Sequence, residues 1–387
     1  MNGKIKPVPG KSRLWEVRYE ATDPRTGKRR QYKRRMSGTR KDAERYLVEM
    51  LNKVNQGEIL QQSEILMKDY LDSWMRSYCD VNLAYKTRKS YRSIVDKYLI
   101  PYFGRTPISK LRPAQIQEYY TLLAQPITSG GYGLSATSVL YHHRILHETL
   151  RHAVNLEYIP YNPCDRVKPP RKAVFNNVVL SGEEAKYIIA QYHDHPIYLP
   201  VSLAIMTGMR QGEICGLRWQ NVVLESGMLN ITHSLQRQNG ILVLKEPKTS
   251  KSRRSIPIPQ CLVSHLIKER NQQKKNRLAQ GPDYDGRGFV CAWGDGRPFD
   301  PDWVGKQWIR LVKKDPRIPD GVRFHDLRHT HASLLLAQGV NLKVIQERLG
   351  HESISTTGDI YSHLTPAMQS EAVKSMDRLF DRANELI

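Results

Sequence analysis

The sequence predicts a multidomain protein that is mainly α-helical and carries small β-sheets. At 387 residues the chain is long enough for two or three domains, each with its own core. Apolar residues recur at three- and four-residue spacing between about 65 and 170, which is typical of helices. In residues 14–21 polar and apolar side chains roughly alternate, which is typical of a strand. A segment rich in proline and basic residues, 162–172, marks a domain boundary.

The chain is strongly basic. Lysine and arginine total 60 against 38 acidic residues, which gives a formal net charge of +22. Beside an ordinary hydrophobic content, this excess favours a polyanionic partner, most simply nucleic acid. No membrane partner is predicted, because no apolar run of 18 residues and no signal peptide is visible. Five isolated cysteines without a CxxC pair predict buried, reduced thiols rather than disulfides or a zinc site.

Residues 1–60 predict a small basic domain, a two- or three-stranded β-ribbon backed by one helix. They hold 16 lysines and arginines against 7 acidic residues. Alternation, turn residues and a capping threonine predict strands at 14–21 and 28–36, a turn at 23–27 and a helix at 40–55. Such a ribbon can lie in a DNA groove; the alternative is a solvated basic face without a fixed partner. The predicted DNA-binding residues of this domain are Arg25, Lys28, Arg29, Arg30, Lys33, Arg34 and Arg35.

Residues 64–170 predict a helical domain with a basic, aromatic surface. Helices are expected at 66–78, 86–99, 113–124 and 135–157, with Pro113 at the first position of the third and Ser135 or Thr137 capping the fourth. Positive charges and aromatic rings crowd the second helix, which favours DNA binding. The alternative is a helical bundle with ordinary solvated charge. The predicted DNA-binding residues of this domain are Lys86, Arg88, Lys89 and Arg92.

Residues 175–387 predict a third domain of the α+β class. A capping box formed by Ser181 and Glu184 opens its first helix. A helix at 197–206, strands between 228 and 258, and helices at 264–278, 301–313, from His325 and at 342–349 follow, with a tail helix from 365. Four polar positions stand out. Arg210 lies in a sharp turn that leads into a short helix predicted at 213–217, where free N–H groups and the helix dipole favour a phosphate. Lys248 lies on a β turn, and His325 and Arg328 share one helical face.

Two more polar residues complete a candidate set. His351 follows the helix that ends at Gly350, and Tyr361 lies ten residues later. Arginines bind phosphate oxygens bidentately, histidines hydrogen-bond them or move a proton, and a lysine can protonate an alkoxide leaving group. A tyrosine can be the nucleophile if cations lower its pKa or a base takes its proton. This chemistry needs no metal and no other cofactor. The candidate catalytic residues are Arg210, Lys248, His325, Arg328, His351 and Tyr361.

Taken singly, these residues have ordinary interpretations. Either arginine can bridge helices through a carboxylate, for which Asp326 and Glu213 are available. His325 and His329 are spaced as zinc ligands on a helix, but an arginine between them would repel the metal and no third ligand is evident. His329 and His331 are expected to be structural or to face DNA.

Four motifs in order, TGMRQGEICGLRW, PKTSKSRRSIPI, HDLRHTHASLLLAQG and LGHESISTTGDIYSH, resemble the boxes of the tyrosine recombinase family, of the phage-integrase type. The likeness covers residues 175–387 closely. The helical domain before it is similar to the family's core-site-binding domain. The first 60 residues resemble the arm-site-binding domain of integrases of mobile elements.

This resemblance implies that Tyr361 attacks a DNA phosphodiester, leaving a 3′-phosphotyrosyl bond and a free 5′-hydroxyl. Arg210 and Arg328 would hold the phosphate, Lys248 would protonate the leaving oxygen, and both histidines would complete the pocket, without metal or ATP. Lys245 and Lys251 flank Lys248 on the same turn; the setting of Lys248 between proline and threonine matches the motif.

The resemblance also implies partners: double-stranded DNA attachment sites of core and arm type, three further protomers in a homo-tetramer on DNA, and an accessory DNA-bending or excision factor. The expected location is the cytoplasm of a prokaryotic host, at the nucleoid. A DNA-binding regulator that does not cleave and a type IB topoisomerase are the alternative functions. Gly358 predicts a loosely held nucleophile segment, and action in cis or in trans stays open.

Overall fold

The computed structural model describes residues 3–10, 13–22, 29–55, 64–171, 178–246 and 253–350. The chain divides into two compact units, Met1–Val174 and Phe175–Ile387. Within the described ranges, no helix is both long and apolar enough to cross a membrane. The predicted fold class is confirmed: an N-terminal three-stranded sheet with one helix, a helical domain, and a mainly helical domain with small sheets.

The first unit opens with an antiparallel sheet in the order β1-β2-β3, on which one helix packs. Its elements are β1 (Gly3–Pro7), β2 (Leu14–Thr22), β3 (Arg29–Ser37) and α1 (Arg40–Asn55). The sequence predicted β2, β3 and α1, but β1 was not predicted because its five residues carry only one strand-forming side chain, Ile5. The predicted turn at 23–27 lies outside the described residues.

The helical domain of the first unit agrees with the four predicted helices. It consists of α2 (Met67–Trp74), α3 (Asp80–Asn82), α4 (Tyr85–Ile94), α5 (Ile100–Phe103), α6 (Pro113–Ala124) and α7 (Ala136–Asn155), with 3-10 turns at Ile108–Lys110, Ile127–Ser129 and Pro163–Arg166. Two wide turns of π type, Met75–Cys79 and Val95–Leu99, join α2 to α3 and α4 to α5. As predicted, Pro113 is the first residue of α6 and the Ser135 hydroxyl caps α7.

The second unit combines seven helices with two small sheets over its described residues. These elements are α8 (Gly182–Gln191), α9 (Tyr198–Thr207), α10 (Gln211–Cys215), β4 (Val222–Val223), β5 (Met228–Ile231), β6 (Ser234–Gln238), β7 (Ile241–Lys245), β8 (Arg254–Pro257), α11 (Gln260–Gln280), α12 (Pro301–Lys314), α13 (Asp326–Ala337) and α14 (Leu342–Leu349), with 3-10 turns at Trp219–Asn221 and Gly281–Asp283. Strands β4, β5 and β8 form one antiparallel sheet, and β6 pairs with β7 in a hairpin.

Helices α9 and α13 form the centre of the second unit. Seven of the ten residues of α9 and nine of the twelve residues of α13 are buried, and the two helices pack against each other. A helix buried on most sides has no amphipathic stripe, which is typical of the middle of a large domain. The ends of these two helices carry the candidate site, so its backbone is fixed by the core.

His325 lies on the same helical turn as Arg328, as the spacing predicted: it is the N-cap of α13 with helical φ and ψ, and its carbonyl oxygen accepts a hydrogen bond from the Arg328 N–H at 3.1 Å. One prediction needs correction. Cys261 is exposed, whereas the other four cysteines are buried as predicted. The predicted tail helix from residue 365 lies outside the described residues.

Candidate active site

Arg210 lies where α9 turns into α10. Gly208 ends α9 with a φ of 69°, in the left-handed region that favours glycine, and Arg210 is the N-cap of α10. The prediction attributed part of the phosphate affinity to this helix start. With five residues α10 is too short for a substantial dipole. Any affinity for a phosphate at this point therefore comes from the arginine side chain.

Glu213 holds Arg210 from within α10. Its carboxylate accepts a hydrogen bond from the Arg210 backbone N–H (3.0 Å) and another from the Arg210 Nη1 (2.9 Å). A second arginine, Arg254 of β8, donates its Nη2 to the same carboxylate at 2.8 Å and its Nη1 at 3.3 Å. Burial opposes ionisation of Glu213, but Arg254 and Arg210 outweigh it and lower its pKa to about 2. Glu213 is thus a permanent anion between two cations.

Arg328 is buried, with 2% of its surface exposed. Its Nη1 donates to the Gly208 carbonyl oxygen at 2.7 Å, and its Nη2 donates to the Leu349 carbonyl oxygen at 2.6 Å. Arg210 reaches the same chain segment, because its Nη2 donates to the Gly350 carbonyl oxygen at 3.2 Å. Two arginines that are far apart in the sequence therefore bind adjacent carbonyl groups at the end of α14.

His325 lies beside these arginines, and its side chain is exposed. Desolvation against the domain lowers the pKa of His325, and the charges of Arg328 and, more weakly, Arg210 lower it further. The imidazole is therefore neutral at pH 7 and can donate or accept a hydrogen bond. The structure thus brings together three of the six candidate catalytic residues.

His331 and His329 are buried in this domain. The His331 Nδ1 lies 2.8 Å from the Ile205 carbonyl oxygen and must donate to it, while its Nε2 accepts from the Arg348 Nε at 3.0 Å. Burial and then the charge of Arg348 lower the pKa of His331 to about 4. Burial and the neighbouring His325 also lower the pKa of His329 to about 4. Both side chains are neutral at pH 7.

The other three candidates, Lys248, His351 and Tyr361, lie outside the described residues, as do Lys251 and Gly358. The described chain stops on both sides of the predicted turn that holds Lys248, between Glu246 and Arg253, whose side chains form an ion pair. Lys245 is exposed at the end of β7.

The functional residues that the sequence reasoning missed are Glu213, as a shared partner, and Arg254. Two signals were available: an acidic residue three positions after Arg210, and a second arginine in PKTSKSRRSIPI. Neither signal shows that the two residues meet, since they are 41 positions apart.

The N-terminal sheet separates its basic residues between two faces. Arg34 faces α1, where its guanidinium lies 5.0 Å from the Tyr46 ring centroid. Lys33 and Arg35 lie on the opposite face, where both pair with Glu16 of β2, at 3.0 and 3.6 Å. Hydrogen bonds from Lys33 and Arg18 lower the pKa of Glu16 to about 2.

The remaining basic residues of this face come from the neighbouring strands. Lys4 and Lys6 of β1 are exposed and pair in register with Arg18 and Glu16. Arg29 and Arg30 belong to β3, and nothing is described of their side chains; Arg25 and Lys28 lie outside the described residues. The open face, defined here by Lys4, Lys6, Arg18, Lys33 and Arg35, includes three residues that the sequence reasoning did not single out.

On α4 the four predicted DNA-binding residues divide into two pairs. Lys86 and Lys89 are exposed. Arg88 lies 3.6 Å from the Asp80 carboxylate, and Arg92 donates to the Asp72 carboxylate at 3.0 Å. The two arginines therefore also form ion pairs within the helical domain.

Family models match three successive parts of the chain. The model described as the phage integrase family matches residues 179–368, the N-terminal SAM-like domain of phage integrases matches residues 66–124, and an arm DNA-binding domain matches residues 8–54. The chain belongs to the phage integrase family of tyrosine recombinases. It is therefore an enzyme of that family, with a DNA-binding arm domain and a catalytic domain for site-specific recombination of DNA.

Two curated relatives are similar over most of their length. A XerC-like tyrosine recombinase of Caldanaerobacter subterraneus subsp. tengcongensis is 28% identical, over 88% of this chain and 90% of that protein. The ICEBs1 integrase of Bacillus subtilis is 28% identical, over 92% of this chain and 95% of that protein.

Two solved structures share the fold. The Tn1549 transposon integrase, in complex with transposon right end DNA, superimposes with a TM-score of 0.66 at 22% identity, over 81% of this chain and 99% of that chain. A lambda integrase dimer bound to a core site superimposes with a TM-score of 0.56 at 19% identity, over 92% of this chain and 97% of that chain.

Substitution of Gly208 tests how tightly the site is built. A Cβ there would lie 2.6 Å from a Leu349 methyl carbon and 2.7 Å from the His331 ring, besides the cost of the positive φ. We expect Gly208→Ala to lower the free energy of unfolding by more than the roughly 1 kcal/mol that positive φ costs alone. Gly240→Ala is the control, because its φ is 82° and nothing lies within 4 Å. If denaturant unfolding shows that both variants lose the same free energy of unfolding, the close packing at Gly208 is contradicted.

The pH dependence of stability tests the state of His331. Its pKa falls from 6.5 to about 4 on folding, so the neutral form stabilises the fold above pH 6.5 and this stabilisation is lost as the pH falls towards 4. We expect His331→Gln, which cannot take up the proton, to flatten the fall in melting temperature between pH 6.5 and 4. His193→Gln is the control, since His193 is exposed. If His331→Gln keeps the wild-type pH dependence, His331 does not carry the effect.

Proposed function

We propose that the protein is an integrase of a phage or integrative element that cleaves and rejoins DNA through a 3′-phosphotyrosyl intermediate on Tyr361. The observation that carries this proposal is that Arg210 and Arg328 donate to adjacent carbonyl groups at the end of α14, shortly before that tyrosine in the sequence. His325 is close enough for the charges of both arginines to lower its pKa. Both guanidinium groups donate to backbone carbonyl oxygens, which orient a cation without neutralising it.

In the proposed reaction the Tyr361 hydroxyl gives up its proton to solvent, its oxygen attacks the scissile phosphorus, and the bond from phosphorus to the 5′ oxygen breaks. Arg210 and Arg328 stabilise the negative charge on the non-bridging oxygens of the five-coordinate transition state. Lys248 gives a proton to the leaving 5′ oxygen, and His325 and His351 hydrogen-bond the phosphate. Attack of a partner strand's 5′-hydroxyl on the phosphotyrosine reverses the step. The bond energy is conserved, so neither ATP nor a metal ion takes part.

The proposal includes the wider arrangement. Residues 1–60 bind arm-type sites, residues 64–170 bind core-type sites, and residues 175–387 catalyse the reaction. Double-stranded attachment-site DNA assembles a homo-tetramer, with an accessory DNA-bending or excision factor, at the nucleoid in the host cytoplasm. The arm domain favours an integrase over a type IB topoisomerase, because relaxation of DNA needs no second class of binding site.

A covalent-complex assay tests the nucleophile. A duplex taken from the DNA that flanks the coding region is incubated with the protein and analysed by denaturing electrophoresis. We expect an SDS-resistant complex with wild type and none with Tyr361→Phe, because the phenylalanine lacks the attacking oxygen. Binding in a gel shift should persist.

The control for this assay is Tyr284→Phe. It removes a tyrosine hydroxyl from the same unit at a position far from Tyr361 in the sequence, and the covalent complex should still form. A covalent complex with Tyr361→Phe would make the nucleophile assignment wrong. Wild-type binding without any covalent complex would favour the regulator that does not cleave.

The open face of the sheet offers a second test. We expect Lys33→Ala and Arg35→Ala to weaken binding of the same duplex. The slope of log affinity against log salt should fall by about 1 for each DNA phosphate that the variant no longer neutralises. Arg34→Ala is the matched control, because Arg34 is adjacent but faces Tyr46. A larger loss of affinity with Arg34→Ala would place the DNA on the other face.

A further inference from the structure

Arg254 connects three parts of the second unit that are far apart in sequence. Its Nη1 and Nη2 donate to Glu213 in α10, and its Nε donates at 2.7 Å to the Arg348 carbonyl oxygen in the last turn of α14. It is also the first residue of β8, so it closely follows the segment that holds Lys248. Only 7% of its side chain is exposed.

We propose that Arg254 is a positioning residue, which holds Arg210 in its phosphate-binding orientation through their shared carboxylate, Glu213. The proposal rests on the proposed function, since it assigns Arg210 to the scissile phosphate. Arg254 itself touches neither DNA nor the reacting atoms in this arrangement.

The first argument is competition for one carboxylate. An arginine and a carboxylate favour two parallel hydrogen bonds between their planar groups. Here Arg254 occupies that position with Nη1 and Nη2, so the Arg210 guanidinium gives Glu213 only its Nη1. The Arg210 Nη2 turns instead to the Gly350 carbonyl oxygen. Without Arg254, both oxygens of Glu213 would be available to Arg210, and the guanidinium would rotate towards them.

The second argument is geometry. Arg254 contacts Glu213 and the Arg348 carbonyl oxygen with Nε, Nη1 and Nη2, which lie in one plane at fixed angles, so it sets the distance between α10 and the end of α14. Arg210, which is the N-cap of α10 and binds the Gly350 carbonyl oxygen, depends on that distance. A lysine is a point charge with no planar fork, and it cannot bind the carboxylate and the carbonyl oxygen in this way.

The test compares Arg254→Lys with wild type on the duplex used for the covalent-complex assay. We expect the rate of covalent-complex formation to fall about 100-fold, as displacement of a catalytic group by about 1 Å does. We expect DNA affinity to stay within about twofold of wild type, because Arg254 is buried away from solvent. A purely structural role would lower the melting temperature and the DNA affinity without this selective loss of rate.

Arg287→Lys is the matched control. Arg287 forms a similar fork on a carboxylate, Asp285, in the same unit, but this pair does not touch Arg210, Arg328 or Glu213. It should keep the wild-type rate. A rate in Arg254→Lys equal to that in Arg287→Lys would overturn the proposal.

A double variant tests the path through Glu213. If Arg254 acts through this carboxylate, Arg254→Lys combined with Glu213→Gln should be no slower than the slower single variant. This double variant also removes the buried charge that would be left poorly paired, so it provides a folded protein if Arg254→Lys is unstable. Multiplicative losses of rate would mean that the two residues act separately, which overturns the proposal.

One readout does not depend on cleavage. The guanidinium nitrogen resonances of Arg210, assigned by their loss in Arg210→Lys, should shift in Arg254→Lys without DNA, because the hydrogen bonds of Arg210 to Glu213 and Gly350 change. Unchanged resonances would overturn the positioning role even if the wild-type protein formed no covalent complex. Absence of that complex in wild type, with shifted resonances, would instead count against the proposed function.

Discussion

The candidate site is built around the Glu213 carboxylate, which lies almost wholly buried between the guanidinium groups of Arg210 and Arg254. A buried carboxylate without partners would become protonated or would destabilise the fold, whereas two arginines keep it ionised. The two arginines in turn need the carboxylate as a partner. Glu213 carries one negative charge, and the two guanidinium groups share it. The orientation of Arg210 and the distance from α10 to α14 both follow from this shared pairing.

The second feature of the site is the use of carbonyl oxygens as arginine partners. Gly208 ends α9, and Leu349 and Gly350 lie at the end of α14, where backbone carbonyls lack partners within the helix and carry the negative end of the helix dipole. These groups orient Arg328 and Arg210 without cancelling their charge. A polyanion such as DNA is attracted by that remaining charge. The left-handed glycines at both helix ends allow the carbonyls to be reached.

The arm domain follows a different electrostatic rule. On its open face Glu16 pairs with Arg18, Lys33 and Arg35, so one carboxylate orders three basic side chains on a small sheet that has little core of its own. Arg34 stabilises the sheet from the other side by packing on Tyr46. Charge in this domain therefore contributes to the fold as well as to DNA binding. The excess of positive charge attracts the negatively charged DNA.

The sequence by itself determined the order of domains and the helices with clear caps and apolar spacing, because local patterns and ordered motifs record these features. It also predicted the six candidate residues, of which the structure describes three. The bounds of α1 and α14 were predicted to the residue, since Thr39, Asn55, Leu342 and Gly350 are local signals. Only the tertiary structure decided that His329 and His331 are buried and that Arg254 shares Glu213 with Arg210. Such pairings join residues 41 to 140 positions apart, and no local spacing encodes them. They arise because burial of α9 and α13 leaves each buried charge only those partners that the packed chain brings within hydrogen-bonding distance.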